Sequence, residues 1–432
     1  MTAYEGRNSV CKVERVMGRG MASPGSMIVD RKESHFAMPK IIPSDVKRRA
    51  RFGAWLFALA QFGYPIIGNI AALAHLENRT LSILFRVVVA LYAVAGLYLF
   101  RRIRLDPWRL GMLFIWACYL LRLSHDYFVD GIEGADYSMQ YFIAGSVLPA
   151  LALWKSDTFD QSRYAWAGFM TCSLGCAMSL VGDWLGAFGY SELTSTTGRL
   201  STESLNPISL GHLAASGILC GAVLCEASTR RLRALLVFVM AGLLLVLLQT
   251  GSKGPAVALI FALAIWAVRR GHLIKILLVS VPIALLLSTF NELPLLSRIS
   301  GAEEDLSTLE RVVLLNDSLQ QIVASPWVGS SSVELKSGHY PHNVFVEAAM
   351  ALGIPLASMF VLIVSRGAMV GWHLIGTRSN LLGMLFVQSL IISVTSGSLY
   401  GSTLLWLCLI LMFGMRTSLS TKNDRSLGDA AS

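Results

Sequence analysis

Apolar runs close to the length that crosses a bilayer recur along this chain, each set off from the next by a short polar stretch. The hydrocarbon core of a bilayer takes roughly 20 helical residues. A segment inside it must satisfy its own backbone hydrogen bonds, which leaves only helices or a closed barrel. The short alternating segments of a barrel are not what the sequence shows. Of 432 residues, 54% are hydrophobic and 15% charged, and the mean hydropathy is +0.58. A soluble protein of this length carries more charge. The fold expected is an all-α polytopic integral membrane protein.

The apolar runs place about twelve transmembrane helices. The first six fall at 52–75, 81–100, 110–130, 139–154, 164–188 and 207–227, and the last six at 234–250, 255–268, 274–290, 344–365, 380–398 and 403–415. Residues 1–51 form a basic tail without the apolar core and cleavage site of a signal peptide. Spans one to nine occupy 52–290, a large loop 291–343, spans ten to twelve 344–415, and a second tail 416–432. Lysine and arginine set the orientation. Counting from an inside N-terminus, the segments "RRIRLDPWR", "STRRLR" and "RRGHLIK" all fall inside, and so do both tails. The outer segments hold only Arg79, Arg199, Lys253, Arg298, Arg311 and Lys336. The formal net charge of +9 is thereby explained as positive-inside bias, with no call for nucleic acid. The seven cysteines lie in the tail or in apolar runs, so no disulfide framework is expected; Cys172 and Cys176 suit helix packing.

Within the large loop, "STLERVVLLNDSLQQIVASP" reads as an amphipathic helix. Ser307 and Glu310 have capping-box spacing. Leu309, Val312, Asn316, Leu319 and Val323 share a face, and Pro326 ends the helix.

Cations are scarce outside, which singles out Arg199, Lys253 and Arg311 together with His339 and His342 of "SGHYPHNVFVEAAM". All fall at or just above one membrane face. Such a site suits an anion at headgroup depth: arginine's planar fork matches phosphate oxygens, and histidine is the usual base near neutral pH. A lipid-linked diphosphate would place its charge there. Asn343 suits a helix N-cap, and Lys253 also suits a lysine snorkelling from a span end. Arg122, His125 and Asp126 near the end of the third span read either as a structural i,i+4 pair or as a functional cluster. Arg86, Asp183 and Glu347 raise the same question. No phosphate loop, Rossmann fingerprint or zinc-ligand spacing occurs, and no cofactor is expected.

Four segments carry a resemblance. "YPHNVFVEAAMALGIPLA" resembles the histidine motif of the O-antigen ligase and polymerase superfamily, although Leu356 or Ala357 stands where its final glycine is usual. "TGSKGPAVALI" resembles the segment that opens the family's conserved domain, with Lys253 in place of arginine. "LERVVLLNDSLQQIVASPWVGSSS" and "GRLSTESLNPISLGHLAA" are similar to its arginine-led loop helix and its Arg…Asn-Pro segment. The close likeness covers about 195–360. It implies a metal-independent, inverting glycosyltransferase of GT-C-like class in the bacterial inner membrane, with cytoplasmic termini and 291–343 as a periplasmic loop. The donor implied is an undecaprenyl-diphosphate-linked oligosaccharide. The acceptor is lipid A-core for a ligase or a growing polysaccharide for a repeat-unit polymerase. By the same resemblance Arg199 and Arg311 hold the diphosphate and His342 activates the acceptor, with Lys253, His339, Tyr340 and Asn343 on the substrate. Two other readings fit the span count: a transporter or flippase of lipid-linked oligosaccharide, and a structural partner in a polysaccharide export complex.

Overall fold

A computed structural model describes residues 44–415 apart from 75, 77, 101–105, 157–158, 186–198, 202–204, 272–305 and 378. Every regular element among them is a helix. In chain order these are α1 (Ser44–Phe62), α2 (Tyr64–Leu73), α3 (Asn78–Leu99), α4 (Pro107–Phe128), α5 (Ala135–Tyr141) and α6 (Leu148–Ser156), with a π turn (Phe142–Val147) joining the last two. Then come α7 (Gln161–Trp184), α8 (Pro207–Ala227), α9 (Arg230–Gln249), α10 (Lys253–Arg270), α11 (Leu306–Ala324), α12 (Val344–Ile375), α13 (Asn380–Thr395) and α14 (Thr403–Met415). Among the described residues five stretches are long and apolar enough to cross a membrane, or six if the bent pair α1 and α2 is one span: Thr80–Leu99, Gln161–Trp184, Pro207–Ala227, Arg230–Gln249 and Val344–Ile375 are the five. The chain is a membrane-embedded helical protein. The expected span at 274–290 lies outside the described residues.

Local chemistry explains where the helices begin. Asp106 accepts from the N–H groups of Trp108 and Arg109, Asp160 from Arg163, and Asn206 from Ser209, three side-chain N-caps, two of them followed by proline. The expected span at 52–75 is not one straight helix. It divides into α1 and α2, bent by 54° at Gly63. The pair α7 and α8 packs through small residues: a β-carbon on Gly168, Gly175, Gly217 or Gly221 would overlap Cys220, Leu213, Cys172 or Phe169. Cys172, Cys176 and Cys220 are buried, free thiols in this contact.

Hydrogen bonds sort the helix ends into two sets. In one, Lys155 donates to the Leu97 carbonyl (2.8 Å) and Arg163 to that of Lys47 (3.1 Å). There too Arg270 reaches the Thr377 carbonyl (3.1 Å), and the Leu381 N–H donates to Gln161 (3.1 Å). The other set holds the ends joined by Arg122, Arg199 and Arg311, each donating to a carbonyl at a helix end or break.

The loop helix α11 turns a mixed face to the bundle, not the apolar stripe that the sequence suggests. Ser318 and Ile322 are buried, whereas Val312, Leu319 and Val323 are exposed, Val323 at 79%. In a membrane protein an outward apolar stripe continues the lipid-facing surface, so amphipathicity does not by itself say which face meets protein. The side chains of Ser307 and Leu309 lie outside the described residues.

A break in α12 organises this end. Gly353 leaves helical geometry at φ 79°, ψ 165°, and the loop after α11 fills the gap. Ile354 N–H donates to the Pro326 carbonyl (2.8 Å), and Ser330 N–H to that of Met350 (2.8 Å). Arg122 closes the arrangement, donating to the carbonyls of Ala351 (3.0 Å), Ser330 (2.9 Å), Val328 (3.3 Å) and Gly329 (3.4 Å). Its approach to Asp126 is looser, at 3.8 Å; Asp126 instead accepts from the Ser332 N–H (2.8 Å). Arg122 is thus a structural clamp on freed backbone. A β-carbon on Gly353 would overlap the Trp327 carbonyl, and the positive φ is itself unfavourable for L residues. Gly353→Ala is expected to cost at least ~2 kcal/mol, seen as a lower melting temperature in detergent. Gly242→Ala, on a helix with open space around it, should be neutral or better. Equal behaviour of the two variants would contradict this account of the break.

Candidate functional site

His342 precedes α12, whose first N–H groups, Phe345 (3.0 Å) and Val346 (3.4 Å), donate to the Asn343 side chain. Asn343 is therefore the N-cap, and His342 stands one residue outside the helix. Its φ is 56°, the only positive value for a non-glycine residue among those described. Such backbone costs about 1–3 kcal/mol and is held only where the surroundings enforce it. The ring lies edge-on to Tyr340, centroids 4.6 Å apart. It is also bonded to the Ser396 backbone in a way that favours the protonated ring, so the imidazole N–H donates and the carbonyl accepts. Nδ1 is shut off from bulk water and has no hydrogen-bond partner. The donor is then Nε2, and the Nδ1 lone pair is left unpaired but enclosed. Burial first, and then the Arg311 charge, hold the His342 pKa below its ordinary 6.5. The neutral, basic form is favoured.

His342 and Tyr340 line a cavity of about 440 Å³, walled by the α1–α2 bend, α3, α5, the start of α8 and the α13–α14 connection. The lining is hydroxyl-rich, with Ser389, Ser393, Ser396 and Ser398 along one side. It contains Arg86 and the imidazoles of His212 and His342 but no aspartate or glutamate. A ridge of rings crosses it: Tyr340 meets Tyr400 at 5.9 Å, Tyr400 meets Tyr141 at 5.9 Å, and Tyr141 meets Tyr137 at 6.3 Å. Burial raises the phenols of Tyr340 and Tyr400 above their usual range, so both keep their protons. Glu347, fully buried at the start of α12, anchors the far wall. It accepts from the Tyr119 hydroxyl and from the Leu399 N–H (2.8 Å), and so holds the loop that presents Tyr400.

The other residues singled out from sequence divide. Arg311 donates to the Thr395 carbonyl (3.1 Å), and its charge is felt at both Tyr340 and His342. His339 is exposed on the same loop and adds a smaller influence on His342. Arg199 lies elsewhere: it donates to the Thr250 carbonyl (2.9 Å) and the Ser252 hydroxyl (3.1 Å), clamping the turn before α10. Lys253 is the exposed first residue of that helix. Neither lines the cavity. Sequence reasoning gave Arg86 little weight and passed over His212 and Tyr400. The signals were present: a single arginine inside an apolar run, a histidine two turns into α8, and a tyrosine in the serine- and glycine-rich "TSGSLYGST".

No family profile and no curated protein matches the chain.

The Arg311 charge opposes protonation of His342, so Arg311→Gln should raise the apparent pKa of His342. Modification by diethyl pyrocarbonate, which requires neutral imidazole, read by mass spectrometry of the His342 peptide, should titrate with a midpoint below 6.5 in wild type. In the variant the midpoint should move to higher pH. An unmoved or lowered midpoint would contradict the placement of Arg311.

Proposed function

We propose that the chain transfers a glycan from a polyisoprenyl-diphosphate carrier to a hydroxyl acceptor at the outer face of a bacterial inner membrane, as the resemblance to O-antigen ligases and polymerases implies. The reading includes the twelve-span topology with both tails cytoplasmic. Its main support is the His342 imidazole, kept neutral at the wall of a hydroxyl-lined cavity without carboxylates; its unpaired Nδ1 is enclosed and has to be uncovered as the acceptor enters. In the reaction His342 takes the proton of the acceptor hydroxyl as that oxygen bonds to the anomeric carbon, and the bond to the diphosphate breaks with inversion. Charge developing on the departing diphosphate needs cationic stabilisation, which Arg311, next to His342, is placed to give. The phenols of Tyr340 and Tyr400 remain donors for sugar hydroxyls. The acceptor is lipid A-core or a growing polysaccharide chain.

A deletion strain complemented with wild type, His342→Ala or Arg311→Ala, at matched membrane levels, tests this. A positioned base contributes roughly 10²–10⁴-fold to rate, so His342→Ala should lose product and accumulate lipid-linked donor, and Arg311→Ala should do the same. The missing product, in lipopolysaccharide or in free polysaccharide, names the acceptor. Wild-type behaviour of both variants would sink the transferase reading in favour of a transporter.

A further inference from the structure

We infer that Arg86, oriented by Tyr137, is an oxyanion subsite of the cavity, receiving a phosphate of the lipid carrier or a carboxylate of an acidic sugar. Arg86 lies in the Thr80–Leu99 stretch, one of those apolar and long enough to cross a membrane. A cation there is costly and ordinarily has a partner that explains it. Yet no carboxylate lies within ion-pair distance of Arg86 among the described residues, and the cavity lining that includes it holds no acid. One N–H donates to the Tyr137 hydroxyl at 2.6 Å. The guanidinium carbon stands 4.7 Å from the ring centres of Tyr137 and Tyr141 and 5.8 Å from that of Tyr64. Three rings flank the guanidinium, which carries five N–H donors in fixed geometry. The others have no acceptor on the protein among the described residues. Cation–π contact offsets part of the charge but supplies no acceptor oxygens; an oxyanion supplies both the acceptors and the missing charge.

The position gives the subsite a place in the cavity. The ring ridge runs from Tyr137 and Tyr141 through Tyr400 to Tyr340 and His342. Arg86 marks one end and His342 the other, with Arg311 behind His342 and outside the lining. A ligand spanning both would carry an anionic group at Arg86 and hydroxyls along the serines and phenols between. Arg199, bound to the turn before α10, does not supply this second cation; Arg86 does. That the subsite takes an oxyanion rests on the cavity; the lipid carrier as its source rests on the proposed function.

Binding to the purified full-length protein in lipid nanodiscs tests it, with inorganic pyrophosphate and glucuronate as separate probes and glucose as the neutral control. Wild type should show saturable thermal stabilisation by one or both anions and none by glucose. Preference for pyrophosphate assigns the subsite to the carrier; preference for glucuronate assigns it to an acidic sugar. Arg86→Gln should weaken binding at least tenfold, while Lys336→Gln, at an exposed loop lysine outside the cavity lining, changes it less than threefold. Should Arg86→Gln not accumulate, Arg86→Lys, which keeps the charge and loses the fork, should still weaken binding several-fold. Wild-type affinity in whichever Arg86 variant accumulates, or no saturable binding of either anion by wild type, would overturn the inference and leave Arg86 as a stacking residue only.

Discussion

Backbone that leaves helical geometry inside a bilayer frees amide and carbonyl groups that water does not reach, so protein must partner them. In this chain the break at Gly353 creates that demand, and the segment Pro326–Ser330 together with Arg122 meets it. The consequence extends well past the break. Once the loop after α11 is pinned to the middle of α12, its remaining residues have a fixed return path to Asn343. Along that path the backbone closes on itself, with Glu334 accepting from the N–H groups of Lys336 (2.9 Å) and Ser337 (2.8 Å). Strained φ at His342 is the local cost of arriving at the N-cap from this direction.

A second buried group ties the opposite wall to the same helix. Glu347 joins α12 to Tyr119 of α4 and to the Leu399 N–H, so the start of α12 positions both His342 and the loop bearing Tyr400. Two ionisable residues at membrane depth, Arg122 and Glu347, thus act through their hydrogen bonds to hold the cavity, whereas Arg86 lines it. Charge within a span marks importance, but only the partners show whether the importance is architectural or chemical.

The sequence discloses the helices because bilayer length and capping chemistry are local: Asp106-Pro107, Asn206-Pro207 and Asn343 all stand at helix starts. The break at Gly353 is not legible in the same way. "AAMALGIPLASM" is apolar but for Ser358; Pro355 signals a kink there, but not that the loop carbonyl of Pro326 fills the break at Gly353. The same reason limits the site. His342 and Tyr340 stand out beside a helix cap, but Arg199 and Arg86 look alike as isolated arginines. Tertiary contacts separate them, one bonded to the Thr250 carbonyl and the other facing the cavity. The stripe on α11 is misleading because an apolar face can serve lipid as well as protein.

Reconstitution tests the central claim, that the His342 end of the cavity is where a glycan changes hands. Purified protein in liposomes would be given a polyisoprenyl-diphosphate-linked glycan and a hydroxyl acceptor, with a metal chelator present. Covalent product and released polyisoprenyl diphosphate should form with wild type, and His342→Ala should abolish both while the variant still melts like wild type. Movement of the donor across the bilayer without any covalent product, or undiminished product from His342→Ala, would contradict it.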